Sequence, residues 1–296
     1  MPHSDVTSTI APLPTLGTAP PLSQVSDEQL ARYAELIYAR TGIRVSPQKK
    51  MLLSNRLRRR LRQTGLADFD AYFALLRRLP PSDAEWDAFL QEITTHETYL
   101  FRDEAQWRWF REQYLTERMA AARQGAGKTL RVWSAACSTG DEAATAACCI
   151  AATLTDLAAW QIRILGTDIG VGALEQAREA VFGERAMRLV PPELQSRFFT
   201  REDSARVWRA KLAVTTMLSF RQHNLLDPLR ERPFDLVFLK NVLIYFDAAS
   251  KRRVVENVRA VLKPGGLLVV GAAEGVSDLV KEMVRLQPWL FAEPAN

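Results

Sequence analysis

The sequence is poor in the residues that staple or metallate a protein: 296 residues include three cysteines and three histidines. Cys137, Cys148 and Cys149 are an odd set without CxxC spacing, and His3, His96 and His223 lie too far apart to frame a zinc site. No metal centre and no disulfide framework are therefore expected. The cysteines are read as small buried hydrophobes, which points to a reducing compartment. Long apolar runs are missing as well. Asp156 interrupts the best candidate, "AATAACCIAATLTDLAAW", so no bilayer span is expected. The opening "MPHSDVTSTIAPLPTLGTAPPLSQ" has neither a basic start nor an apolar core, so no secretory signal is read and a cytoplasmic location is expected.

What is present is an ordinary globular composition, 47% hydrophobic, enough for one large core and a second small one. The net charge of +5 favours an acidic partner without choosing between nucleic acid, an anionic membrane and an acidic protein surface.

Residues 1–25, rich in Pro, Thr, Ser and Ala, cannot offset their ordering entropy and are expected to form a disordered tail. Residues 26–92 carry helical patterns. Ser26 and Gln29 fit a capping box, Leu30, Tyr33, Ala34 and Ile37 share one face, and Gly42 stops the helix. Ser46 and Pro47 are expected to open a second helix. Its apolar stripe is Leu53, Leu57 and Leu61; Lys49, Lys50, Arg56, Arg58, Arg59, Arg60 and Arg62 occupy the other faces with no acid among them. Asp68 can cap a third helix, and Ser82 with Glu85 a fourth. After Gly127, short β-prone runs at 130–136, 161–168, 217–222, 234–239 and 266–273 alternate with helical stretches, the signature of a parallel sheet with crossover helices. Residues 183–216 break that rhythm and read as a small antiparallel β insertion.

In an open α/β sheet, ligands gather at the carboxyl ends of the strands. Those ends carry Ser138 to Glu142, Asp168, Asn224 with Leu225, and Lys240 with Asn241. The loop "SAACSTGDE" has one glycine, so a GxGxxG dinucleotide fingerprint is absent, and so is the lysine of a P-loop. Asp168 suits a ribose diol, although an aspartate there can equally cap a helix. Glu142 opposes a phosphate and favours a cationic ligand, although it also complements a helix dipole. S-adenosylmethionine, cationic and free of phosphate, meets both conditions.

The segment "VLKPGGLLVVG" (261–271), read as a helix end, a Pro-Gly-Gly turn and an apolar strand, is similar to the one that precedes the fifth strand in many S-adenosylmethionine-dependent methyltransferases. The motifs "TTHETYLFRDE" (94–104), "RVWSAACSTGDE" (131–142), "ILGTDIGVGALEQAREAVF" (164–182), "NLLD" (224–227) and "FDLVFLKNVLIYFD" (234–247) follow one another as in a known family. From residue 26 to 291 the chain resembles the chemotaxis receptor glutamate O-methyltransferases. The resemblance implies a Rossmann-like class I methyltransferase domain at 93–296, preceded by the small all-helical domain. It implies S-adenosylmethionine as cofactor and S-adenosylhomocysteine as product. His96, Thr98, Arg102, Glu142, Asp168, Asn224, Leu225, Lys240 and Asn241 would form the cofactor pocket, with Arg102 and Tyr245 beside the transferring methyl group. His96 stands where the family has asparagine and Lys240 where it has arginine; Asp141, Ala143 and Ala144 replace Glu, Pro and Tyr. The implied partners are the cytoplasmic helices of methyl-accepting chemoreceptors, with a receptor's C-terminal tail as a second partner for the β insertion. Nucleic acid, membrane insertion and a metal are not expected, and a monomer is. Two other readings compete: a nucleic-acid methyltransferase, against which "KNVLIYF" stands where Asn-Pro-Pro-aromatic would be, and a non-catalytic S-adenosylmethionine-binding module, motivated by His96 and Lys240.

Overall fold

The computed structural model describes residues 24–295; most of the tail expected at 1–25 lies outside the described residues. Val25, assigned to that tail from composition, is instead 1% exposed and donates its N–H to Ser54 Oγ at 3.0 Å.

The helical part comprises α1 (Asp27–Thr41), a 3-10 turn Pro47–Lys49, α2 (Lys50–Thr64), α3 (Phe69–Arg78) and α4 (Ala84–Ile93). The capping box of Ser26 and Gln29 forms, Gly42 ends α1 at φ 71°, and Asp68 caps α3. Two caps differ from expectation. Ser46 makes no capping bond because the chain enters α2 through the 3-10 turn, and Asp83 rather than Ser82 caps α4, accepting from Glu85 N. Leu53, Leu57 and Leu61 are buried against Tyr33, Tyr72, Phe89 and Trp86 in a core of their own. The basic faces of α2 are partly compensated: Arg59 pairs with Glu92 and Arg60 with Glu85, both at 2.6 Å, and Lys50 with Asp27 at 2.7 Å. Lys49, Arg56, Arg58 and Arg62 have no acidic partner among the described residues.

Next come α5 (Glu104–Trp109), a π-helical turn Phe110–Tyr114, α6 (Leu115–Arg123), β1 (Thr129–Ala135), α7 (Asp141–Thr153), β2 (Gln161–Asp168) and α8 (Val171–Glu179). The insertion holds β3 (Val181–Gly183), α9 (Glu184–Met187), α10 (Pro192–Phe198), β4 (Phe199–Glu202), β5 (Val207–Ala210) and α11 (Leu212–Thr215). The chain closes with β6 (Leu218–Gln222), β7 (Phe234–Leu239), α12 (Ala248–Arg259), β8 (Leu262–Val270), β9 (Val284–Gln287) and β10 (Leu290–Ala292).

Among the described residues the large sheet has seven strands in the order β6-β2-β1-β7-β8-β10-β9, and the small antiparallel one is ordered β3-β5-β4. The β2, β1, β7 and β8 neighbours pair in parallel, and the order reverses between β1 and β7, the switch point where ligands enter such sheets. Every residue of β7 is buried, as a central strand covered on both faces requires. Helix α7 owes its alanines and cysteines to the same geometry: from Ala143 to Ala151 it is buried throughout, and only small side chains allow so close an approach to the sheet. The Pro-Gly-Gly segment does not separate a helix from the fifth strand. It lies within β8 as a bulge, where the register with β7 jumps from Phe234–Leu262 to Leu236–Leu267. No helix among the described residues is long and apolar enough to cross a membrane.

Candidate active site

The strand tips of β1, β2 and β7 meet the helical part at one cleft, and all ten residues singled out from the sequence line it: His96, Thr98, Arg102, Glu142, Asp168, Asn224, Leu225, Lys240, Asn241 and Tyr245. The helical part contributes Thr41, Ile43, Lys49, Leu52 and Arg56 to the opposite wall. Three bonds hold the two parts together there. Asn224 Nδ2 donates to Arg40 O at 2.9 Å, Arg44 N donates to Tyr245 O at 2.9 Å, and Tyr38 Oη donates to Asp247 at 2.9 Å.

The loop after β1 is bent by Ala136 (φ 60°), Ser138 (φ 53°) and Gly140 (φ 85°). At Gly140 the bend needs glycine twice over, since a Cβ would also lie 2.8 Å from Ala177 Cβ. This bend delivers Ser138 N to Asp168 Oδ2 at 2.9 Å, while Gly170 N reaches Oδ1 at 2.9 Å. Asp168 is thus not the cap of α8. It is a carboxylate held by one backbone donor per oxygen, with a further lone pair on each oxygen for a pair of hydroxyls. Ser138 Oγ is buried without a partner in the same wall, a group that an incoming ligand could satisfy.

Glu142, in the first turn of α7, accepts from Ser134 Oγ at 2.7 Å and lies 3.6 Å from Lys240 Nζ. Burial pushes its pKa up; the Lys240 ammonium and the serine bond pull against that shift. Lys240 is itself 2% exposed at its side chain and reaches Asp103 at 3.0 Å and Arg102 O at 3.3 Å, above the ring of Trp107. It therefore acts as an internal cation between α7 and the Arg102 loop. A lysine suffices for that, because three separated acceptors suit a point charge and no planar fork is called for.

His96 is packed on Gly170, where any Cβ would come within 2.7 Å of the ring. Thr94 Oγ1 donates to Leu90 O, so the 2.6 Å contact between Thr94 Oγ1 and His96 Nε2 needs the proton on Nε2. Burial depresses the ring's pKa, Asp168, 3.9 Å from Nδ1, opposes that shift, and Arg56 reinforces it. Arg102 stands between two residues with left-handed backbone, Phe101 (φ 58°) and Asp103 (φ 66°). Its guanidinium touches only Glu97 O, at 3.4 Å, and the ring of Tyr99, so it has no carboxylate partner among the described residues. Tyr245 ends a 3-10 turn, Leu243–Tyr245, and Lys49 Nζ lies 5.4 Å from its ring centre. Asn224 is turned inward: its Oδ1 accepts from Leu226 N and its Nδ2 serves Arg40, so its side chain shapes the wall while Leu225 presents a buried apolar surface.

Sequence reasoning missed Asp103, Trp107 and Glu274, and gave Lys49 a place only on the basic helix. Ser138 was among the strand-tip residues, and Glu274 was within reach of the same rule, since it follows β8.

Comparison with known proteins gives a consistent result. Residues 28–94 match the family described as CheR methyltransferase, all-alpha domain, and residues 96–288 match CheR methyltransferase, SAM binding domain. The chain is 34% identical over 265 residues to the chemotaxis protein methyltransferase of Salmonella typhimurium, covering 87% of each chain. It is 34% identical over 260 residues to that of Escherichia coli, covering 86% of this chain and 87% of the other. Chemotaxis protein methyltransferase 2 of Pseudomonas aeruginosa is 33% identical over 266 residues, with 86% and 90% covered.

Proposed function

The chain belongs to the CheR methyltransferase family, and from that premise we propose that it methylates glutamate side chains of bacterial chemoreceptors from S-adenosylmethionine, yielding glutamyl methyl esters and S-adenosylhomocysteine. The observation that carries this reading is the cleft itself, which sets two carboxylates, the buried Asp168 and the half-buried Glu142, against a tyrosine and an arginine with no carboxylate partner among the described residues. Neither the nucleic-acid reading nor the non-catalytic one is favoured by the family or its relatives.

S-adenosylmethionine, when bound, supplies a methyl group made electrophilic by its sulfonium. Asp168 would accept from the ribose hydroxyls, and Glu142 would offer a negative charge to the cationic end. The acceptor glutamate, with an ordinary pKa near 4.3, is already ionised at neutral pH, so the chain needs no general base. Its task is to desolvate and aim that carboxylate, and orientation of this kind is worth roughly 7–11 kcal/mol. An arginine clasping both attacking oxygens would stabilise the charged ground state more than a transition state in which the charges fade. Arg102 therefore holds the cofactor's carboxylate or one outer substrate oxygen, and Tyr245 orients the acceptor.

Residues 26–92 form the receptor-facing domain in this proposal, where Arg58 and Arg62 meet the acidic helices of a receptor in the cytoplasm. In the small sheet β3 and β4 are the outer strands, and in this proposal a receptor tail adds to one of them as a further strand. The chain acts as a monomer. Incubation with methyl-labelled cofactor and chemoreceptor membranes tests the proposal: label released by alkali as methanol is the expected result, and alkali-stable label on protein or nucleic acid contradicts it.

A further inference from the structure

The loop after β8 carries an acid to which the reaction described so far gives no task. Glu274 is 1% exposed, and its carboxylate has no cationic partner among the described residues. Its Oε1 accepts the backbone N–H of Asn241. Its Oε2 is buried without a hydrogen-bond partner among the described residues. Burial pushes its pKa up, and the backbone N–H groups of Asn241, Leu243, Val242 and Ile244, at the start of the 3-10 turn that ends on Tyr245, oppose that shift.

The surroundings are shaped for this acid. A Cβ on Gly271 would lie 2.7 Å from Glu274 Oε1 and 3.2 Å from Asn241 N, so glycine leaves the space the carboxylate fills. Lys251 of α12 donates to Glu274 O at 2.7 Å and fixes the backbone that bears the acid. Asn241 sits at φ 58°, a conformation that a residue other than glycine keeps only where its surroundings impose it. From the other side, Arg44 N holds Tyr245 O. The segment is thus held at Asn241 N by Glu274 and at Tyr245 O by the helical part.

We propose that Glu274 is a positioning residue for methyl transfer: by accepting the N–H of Asn241 its carboxylate sets Asn241 against the cofactor and, through the turn that follows, Tyr245 against the acceptor. This rests on the proposed function for the roles of Asn241 and Tyr245. A carboxylate suits the place because it only accepts, with about four lone-pair directions for a fan of donors. Glutamine would keep the shape but turn an NH2 toward other N–H groups, and aspartate would fall one methylene short.

The test is Glu274→Gln in the full chain, with three readouts. Amide hydrogen exchange in a peptide spanning 241–245 is expected to accelerate at least tenfold while β7 and β8 keep their protection. S-adenosylhomocysteine affinity is expected to fall several-fold by calorimetry. The kcat for receptor methylation is expected to fall at least tenfold while the receptor KM stays within about threefold. Should that variant not fold, Gly271→Ala, which displaces the carboxylate and retains it, is expected to loosen the same peptide. Unchanged exchange at 241–245, or exchange that rises equally in β7 and β8, overturns the proposal. A parent chain that methylates no receptor removes the proposed function instead, and the exchange and calorimetric readouts still decide the role of Glu274 in holding this loop.

Discussion

Replacing Lys240 by methionine removes the cation that sits between Glu142 and Asp103 and keeps a side chain of similar length. At 3.6 Å and an effective dielectric of 20 the attraction between Lys240 and Glu142 is about 4–5 kcal/mol. Asp103 is 40% exposed, so its pair with Lys240 is screened and adds little. Removing one member of a buried pair destabilises by roughly 3–5 kcal/mol, and with Asp103 discounted the lower end applies. At about 2–4 °C per kcal/mol for a domain of roughly 200 residues, Lys240→Met should melt roughly 6–12 °C below the parent at pH 8. The pH dependence has a definite sign. Burial holds the pKa of Glu142 above its ordinary 4.5, and loss of the ammonium raises it further. An ionised, unpaired Glu142 penalises the variant fully above that folded value, and the penalty fades as the pH falls toward the unfolded one, where the neutral acid needs no cation. Thermal melts followed by circular dichroism at pH 8 and pH 5.5 should therefore show a gap that narrows on acidification. A gap under 2 °C at pH 8, or one that widens at pH 5.5, would refute the view that Lys240 compensates a buried carboxylate.

Tyr245→Phe should lower kcat for receptor methylation at least tenfold and leave S-adenosylhomocysteine affinity within twofold by calorimetry; unchanged turnover removes the orienting role. The double substitution Arg58→Glu with Arg62→Glu should slow methylation at low salt and lose most of that effect near 0.5 M salt, as screening shortens the reach of surface charge. Arg59 is better left alone, because its partner Glu92 would turn the experiment into one on stability. Gly140→Ala places a methyl 2.8 Å from Ala177 Cβ at φ 85°, and chemical denaturation should show a loss of about 1–3 kcal/mol.

The parts legible in the sequence are those that local patterning controls. Strands β2 and β7 fall on the residues their apolar runs marked out, and Asp168 closes β2 as expected. Strands β9 and β10 went unseen because four and three residues around a Gln-Pro-Trp turn leave no periodicity to read, and their pairing with β8 is a long-range matter. The insertion shows the same limit. Within the expected β insertion at 183–216 only β4 and β5 are strands, the rest being mostly the helices α9, α10 and α11, and the third strand, β3, starts before it at Val181. The Pro-Gly-Gly motif was found, but whether it turns the chain or bulges a strand depends on the register against β7.

For the site, residue types at strand tips pointed to an adenosyl ligand but did not disclose the partnerships among the side chains. The seven cations near α2 looked like one continuous face, and acids from α1 and α4 neutralise part of it. Lys240 is read as a pocket residue in place of an arginine, and its ammonium also lies within 4 Å of Asp103 and Glu142. Asn224 is read as a pocket residue, and its amide also donates to Arg40 O of α1. Each of these depends on which side chains tertiary packing brings within 4 Å, and no single segment contains that information.

The central claim is that the strand-tip cleft is a site for an adenosyl ligand held by Asp168. Isothermal calorimetry of the pure chain with S-adenosylhomocysteine tests it most directly, run beside Asp168→Asn. The account expects saturable heat from the parent and binding at least tenfold weaker in the variant, since a bond to a charged acceptor is worth about 1.5–3 kcal/mol. No heat with a folded parent, or equal affinity in the two proteins, would contradict it.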